Sequence, residues 1–120
     1  MVELTLQIPN SFAAKIQSYG VWTSTVIEIS LLNCNTKASL TAQEVIKFLE
    51  KNPSSKEVLS FKISDKAQNR LRNLLSANGE RTLTKQEETE LDELSKIENI
   101  FRMLKLRVAK ESKNQTHDVN

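Results

Sequence analysis

Glycine and proline are scarce in this chain, with two of each among 120 residues. Tight turns between strands depend on these residues, so their scarcity argues against a turn-rich β architecture. Cysteine and histidine occur once each, as Cys34 and His117. A single cysteine excludes a disulfide within the chain and is typical of a reducing compartment. Two such ligands are also fewer than the roughly four that a structural zinc site needs.

Long apolar runs are missing as well. No stretch approaches the roughly 20 residues that a transmembrane helix requires. The N-terminus has neither the basic region nor the continuous apolar region of a secretory signal. We therefore expect a cytoplasmic protein with no membrane partner. The formal net charge is +2, with 17 basic and 15 acidic residues, so electrostatic arguments must be local.

No residue pattern of an active site is present. Because the sequence has no glycine-rich phosphate loop and no nucleophile elbow, we expect neither enzymatic activity nor a cofactor. Cys34 lies in an apolar run without a basic neighbour, which favours a small core residue over a nucleophile. A group of carboxylates is expected to favour a helix N-terminus and to face solvent rather than to bind metal. Its members are Glu87, Glu88, Glu90, Asp92 and Glu93.

Apolar and polar residues alternate strictly along residues 2–8, which predicts a half-buried β-strand. A lone strand leaves both edges unpaired, and its copy in a second chain is the obvious partner. Two helices should follow, one over residues 10–19 and one capped by Thr23 or Ser24. The second helix is apolar on several sides, which hints at a dimer core. Residues 1–38 are thus predicted to form a strand-helix-helix dimerisation module.

Helix-start signals recur through residues 39–112, which are predicted to form a helical segment. The expected starts are the capping boxes Thr41–Glu44, Ser54–Glu57 and Thr84–Glu87, and the pair Ser64–Asp65. Asn78 and Gly79 are expected to end the helix before the last one in a left-handed cap. Residues 113–120 are polar and are expected to be a disordered tail.

The helix that opens at Thr84 is predicted to be the longest. Apolar residues recur every three or four positions over about 25 residues, or roughly 38 Å at 1.5 Å per residue. We call them the seam: Leu91, Leu94, Ile97, Phe101, Leu104 and Val108. The helix over residues 66–77 can cover part of the seam. The rest is either packed within the chain or bound by a partner protein, and the leading hypothesis takes the seam as the partner surface.

The order of strand, helix, turn and helix over residues 2–35 resembles a ribbon-helix-helix module. In that family outward strand residues read bases, and the N-terminus of the second helix binds phosphate. The resemblance assigns DNA contacts to Glu3, Thr5, Gln7, Thr23 and Ser24. However, residues 1–40 carry two lysines against two glutamates, a balance that is poor for binding phosphate. This balance favours a dimerising or packing role for the module.

Basic residues gather at Lys62, Lys66 and Arg70, four positions apart, with Arg72 nearby. Such a row is ordinary for a solvated helix face. The last helix is acidic at its start and basic at its end, which complements the helix dipole.

Six short sequence segments in the C-terminal half form a recognisable series. They are PSSKEVLSFKIS, QNRLRNLL, TLT, ELDEL, IE and RMLK, at residues 53–64, 68–75, 82–84, 90–94, 97–98 and 102–105. In their order they resemble a group of small cyanobacterial proteins similar to antitoxins encoded beside toxin nucleases. The resemblance covers roughly residues 40–110. It implies an N-terminal module for dimerisation or operator binding and a C-terminal helical segment that neutralises a toxin.

These patterns predict a mostly α fold with one N-terminal β-strand. The strand belongs to a ribbon-helix-helix-like module and is paired in a homodimer, and a helical region that ends in a long helix follows it. The leading hypothesis is an antitoxin-like protein that dimerises through residues 1–38, binds a toxin through its C-terminal helices and regulates its own transcription. Two alternatives stay open. One is a DNA-binding ribbon-helix-helix regulator without a protein client, and the other is a non-catalytic scaffold dimer.

Overall fold

The computed structural model describes residues 9–10 and 20–118, with side chains up to Glu111. Within residues 20–118 a short 3-10 helix, Gly20–Trp22, precedes five α-helices. These are α1 (Thr23–Leu31), α2 (Ala38–Glu50), α3 (Ser55–Ser60), α4 (Asp65–Glu80) and α5 (Lys85–Asp118). The described part of the chain contains no strand, and the strand predicted over residues 2–8 lies outside it.

The predicted mostly α fold with a long C-terminal helix is confirmed. Helix α5 contains 34 residues, which gives a length of roughly 50 Å at 1.5 Å per residue. It continues to Asp118, so the structure differs from the disordered tail expected over residues 113–120. No helix among the described residues is both long and apolar enough to cross a membrane.

Three of the predicted helix starts are confirmed by their hydrogen bonds. Ser54 Oγ accepts from the Glu57 amide and Glu57 Oε1 from the Ser54 amide, both at 3.2 Å. Thr84 and Glu87 form the same reciprocal pair, at 2.9 and 3.1 Å. Ser64 Oγ accepts from the Ala67 amide at 3.2 Å. These caps are local, so each satisfies helix N–H groups with side chains that lie within three residues.

The predicted start at Thr41 is wrong, whereas α1 begins at Thr23, where a start was predicted, but without the predicted side-chain cap. Helix α2 begins at Ala38, and Thr41 is buried inside it. Glu44 instead accepts a hydrogen bond from the Ser64 amide at 2.7 Å. Helix α1 has Trp22 at its N-cap position without a side-chain cap, and the Thr23 hydroxyl donates to the Gly20 carbonyl at 2.6 Å.

The left-handed cap predicted at Asn78 and Gly79 is also wrong. Helix α4 runs through both residues to Glu80 and ends on extended backbone at Arg81. Left-handed backbone occurs instead at Asn33 and Asn52, with φ of 48° and 51°, just after α1 and α2. Asparagine adopts this conformation more readily than most residues. At these two helix ends asparagine therefore provides the left-handed residue that is expected at Asn78 and Gly79.

Helix α5 is the central element of the described fold, because α1, α2, α3 and α4 all pack against it. One core joins all five helices, and its largest fully buried side chains are Ile29, Leu49, Leu74, Ile97, Val45 and Val58. Helices α2 and α5 bury Val26 and Ile29 of α1, whereas Leu31 of the same helix is 74% exposed. The predicted boundary between residues 38 and 39 does not separate two cores in this structure.

Candidate functional site

The seam of α5, predicted to be the partner-binding surface, belongs to the core. Leu94, Ile97, Phe101, Leu104 and Val108 are at most 5% exposed, and Leu91 is half-buried. The prediction assumed that one short neighbouring helix had to cover the seam. Four helices share that task, so the five buried side chains are not available as a partner surface, and the prediction is corrected for them.

The residues assigned to DNA contact are only partly described. Glu3, Thr5 and Gln7 lie outside the described residues. Thr23 and Ser24 occupy the first turn of α1, where the Thr23 hydroxyl hydrogen-bonds to Gly20 and Ser24 is exposed.

The row of basic residues is divided between two grooves. Lys62 lies on the extended linker before α4, so its spacing of four from Lys66 is not a helical spacing. Lys62 and Arg72 line one groove, whereas Lys66 and Arg70 line the other.

The larger groove, of about 710 Å³, lies between α2, α4 and the start of α5, and we call it the polar groove. Arg70 donates to both carboxylate oxygens of Glu90, at 2.8 and 2.9 Å. Glu90 is buried, and this two-pronged pair neutralises its charge. Leu40 projects at the edge and is 61% exposed.

The second groove, of about 480 Å³, lies between α4, α5 and the linker at residues 61–63. We call it the basic groove. Its apolar lining consists of Phe61, Ile63, Leu71, Leu75 and Phe101. Its charged lining consists of Lys62, Arg72, Arg102, Lys105 and Glu98. Four cations thus surround an apolar surface, with one carboxylate among them.

The apolar lining of the basic groove rests on an aromatic cluster. The Phe48 and Phe61 rings are stacked, with centroids 4.1 Å apart and planes at 17°. Phe101 meets Phe61 at 5.1 Å. The Lys105 ammonium lies 5.5 Å from the centroid of the Phe101 ring and donates to the Phe61 carbonyl. Because Phe101 is buried in the core, this part of the groove is held in place by the fold.

The cations of the basic groove lack carboxylate partners among the described residues. The ion pairs found there join Arg70 to Glu90, Arg81 to Glu87 and Lys96 to Asp92. None of these residues lines the basic groove. Arg102 donates to the Asn99 side-chain oxygen, a neutral acceptor, at 2.7 Å. The groove therefore presents uncompensated positive charge beside apolar side chains.

The acidic start of α5 is largely engaged inside the chain. Hydrogen bonds from the Arg81 guanidinium, aided by the Thr84 amide, lower the pKa of Glu87 to about 2. Glu90 and Glu93 are buried, which corrects for these two the expectation that the group faces solvent, whereas Glu88 and Asp92 are exposed as expected. Among the described residues no cluster of three or more His, Cys, Asp or Glu side chains is arranged to hold a metal ion.

Glu93 joins α5 to the loop before α2, a role that sequence reasoning missed. Its carboxylate accepts from the Asn35 amide at 2.7 Å, the Thr36 amide at 3.1 Å and the Thr36 hydroxyl at 2.6 Å. Burial alone would raise the pKa of Glu93, but these hydrogen bonds outweigh it and the pKa is lowered. Burial, and then the Glu93 charge, raise the pKa of the half-buried Cys34 thiol, which reduces its thiolate fraction.

Comparison of the chain with protein-family models, curated proteins and solved structures gave no match.

Proposed function

We propose that this chain is a non-catalytic protein-binding module and that the basic groove is its docking surface. The observation that carries the proposal is Leu75, which is 55% exposed on an apolar lining surrounded by cations without carboxylate partners. Apolar surface with a polar rim is the usual anatomy of a protein-protein contact. The seam cannot provide this contact because the core already buries it.

The antitoxin-like role implied by the family resemblance fits this proposal with one change. The C-terminal helices still bind the toxin, but the contact moves from the seam to the groove between α4 and α5. The homodimer formed through residues 1–38, and regulation of the chain's own transcription, belong to the same proposal. The sequence pattern of residues 2–35 supports the homodimer, and the regulation follows from the family resemblance.

A pair of leucine variants tests the docking surface. Leu75→Gln makes the basic groove polar, whereas Leu40→Gln makes the same change on the polar groove, where Leu40 is similarly exposed at 61%. Tagged full-length wild type and both variants would be expressed with the product of the neighbouring gene and purified, and the co-purified protein quantified. Circular dichroism would establish that all three chains fold.

We expect Leu75→Gln to weaken the complex about tenfold, since it removes an apolar contact worth on the order of 1–2 kcal/mol. Leu40→Gln should bind like wild type. Equal retention by both variants, or no complex with wild type, would contradict the proposal.

A further inference from the structure

Among the described residues, the cations of the basic groove form no ion pair with a carboxylate. Four cations and one carboxylate line it, and the ion pairs among the described residues lie elsewhere. Two arginines outside the groove, Arg70 and Arg81, each hold a carboxylate by two hydrogen bonds, as Arg70 does with Glu90 at 2.8 and 2.9 Å. Around the basic groove no described carboxylate forms such a pair, so the guanidinium groups of Arg72 and Arg102 can pair with carboxylates of a bound partner.

We infer that the occupant of the basic groove is an acidic amphipathic peptide segment of the partner, with at least two carboxylates beside a bulky apolar side chain. This inference rests on the proposed docking function and adds the chemistry of the partner. Arg72 and Arg102 offer planar guanidinium groups that match carboxylates. Leu75, beside the half-buried Leu71, offers the apolar contact.

A second copy of this chain is a poor occupant. The carboxylates at the start of α5 are its densest acidic group, yet four of the five are already engaged. Glu87, Glu90 and Asp92 form ion pairs, and Glu93 is buried against the loop before α2. Docking a second copy would require breaking these contacts.

A nucleic acid also fits less well than an acidic peptide. Phosphate binding gains from cations spread along a polar surface, whereas these cations surround leucine and phenylalanine side chains. A peptide can contact both the cations and the apolar lining of the groove, because one segment can carry carboxylates and an apolar side chain together.

The test is a phage-display selection. The full-length chain is the target, and the phage carry random 12-residue peptides. Enriched peptides would be synthesised with a fluorophore and their affinity measured by anisotropy at low and high salt. The charge variant is Arg72→Gln with Arg102→Gln. The matched control is Arg107→Gln with Lys110→Gln, two exposed cations of α5 that do not line the groove. A 20-nucleotide single-stranded DNA provides the competing polyanion.

The inference predicts enrichment of peptides that combine Asp or Glu with a large apolar residue. The charge variant should bind them about three- to thirtyfold more weakly, from two partly exposed ion pairs, and the control within twofold of wild type. Added salt should weaken wild-type binding more than binding by the charge variant.

Four results would overturn the inference, and they separate it from the docking proposal. Enriched peptides without acidic residues whose binding is lost in Leu75→Gln would refute the acidic occupant and leave the docking surface intact. No enriched peptide, or enriched peptides indifferent to Leu75→Gln, would refute both. DNA that binds wild type, fails to bind the charge variant and displaces the peptides would assign the groove to nucleic acid instead.

Discussion

Replacement of Glu93 by glutamine tests how the long helix organises the fold. The carboxylate accepts hydrogen bonds from two amides and one hydroxyl, at 2.6 to 3.1 Å. Glutamine has nearly the same shape, but it replaces one oxygen by an NH₂ group. A donor from Asn35 or Thr36 must then face another donor, and the remaining hydrogen bonds lose the charge that strengthens them.

The expected cost follows from these contacts. A hydrogen bond to a charged group contributes about 1.5–3 kcal/mol, so losing one and weakening the others should lower the free energy of unfolding by about 2–4 kcal/mol. For a chain of this size that corresponds to a fall in Tm of about 8–15 °C. Glu88→Gln is the matched control, because Glu88 is exposed on the same helix. It should change the free energy by less than about 0.5 kcal/mol.

Urea unfolding provides the assay. Trp22 is the only tryptophan, is buried, and donates from its indole Nε1 to the Pro53 carbonyl at 2.9 Å, so its fluorescence should report the loss of packing. The pKa of Glu93 is lowered in the folded state. Its contribution is therefore full above the unfolded glutamate pKa of about 4.3 and is lost as the pH falls through the lower folded value.

The difference between wild type and Glu93→Gln should accordingly be largest near neutral pH and shrink on acidification. If Glu93→Gln unfolds at the same urea concentration as Glu88→Gln at pH 7, the Glu93 contact does not stabilise the fold and the reasoning fails.

Two further predictions concern the same helix. Ile97→Ala should lower the free energy of unfolding by about 2–5 kcal/mol because Ile97 is fully buried. Leu106→Ala, at a residue 59% exposed, should lower it by less than about 0.5 kcal/mol. Equal losses for the two variants in chemical denaturation would show that the seam is not core. Glu87→Gln should destabilise the chain at pH 7. The difference in Tm from wild type should vanish as the pH falls from 5 to about 2, since the folded Glu87 pKa is about 2. A difference that does not depend on pH would contradict the role of the Arg81 contact.

The helices themselves were largely predictable from the sequence, because their signals are local. Ser54 with Glu57, and Thr84 with Glu87, form the reciprocal caps that their spacing predicts. The seam was also identified correctly as a row of apolar residues on one face of α5. Its burial was not predictable, since periodicity shows which face is apolar and not which element covers it.

The start of α2 escaped prediction for a physical reason. The loop before it is held by Glu93, which lies 58 and 57 positions along the chain from its partners Asn35 and Thr36. A local reading therefore placed the start at Thr41, where the residues match a capping box, although this threonine is buried within the helix.

The basic groove was missed because its members are scattered along the chain. Arg72 and Leu75 lie on α4, Arg102 on α5 and Lys62 on the linker between α3 and α4. Each reads as an ordinary surface residue, and only the packing of α4 against α5 brings them together. A sequence signal for the groove was present in Leu75, an apolar residue in a segment rich in basic residues, but it did not distinguish the groove from the core.

The docking surface is tested most directly by mapping amide chemical shifts in the ¹⁵N-labelled full-length chain during titration with the tightest selected acidic peptide. The largest changes are expected around the basic groove, at Ile63, Leu71, Leu75 and Arg102, with little change at Leu40 on the polar groove. Changes centred on the polar groove or on α1, with the basic groove unaffected, would contradict the proposal that this protein binds its partner between α4 and α5.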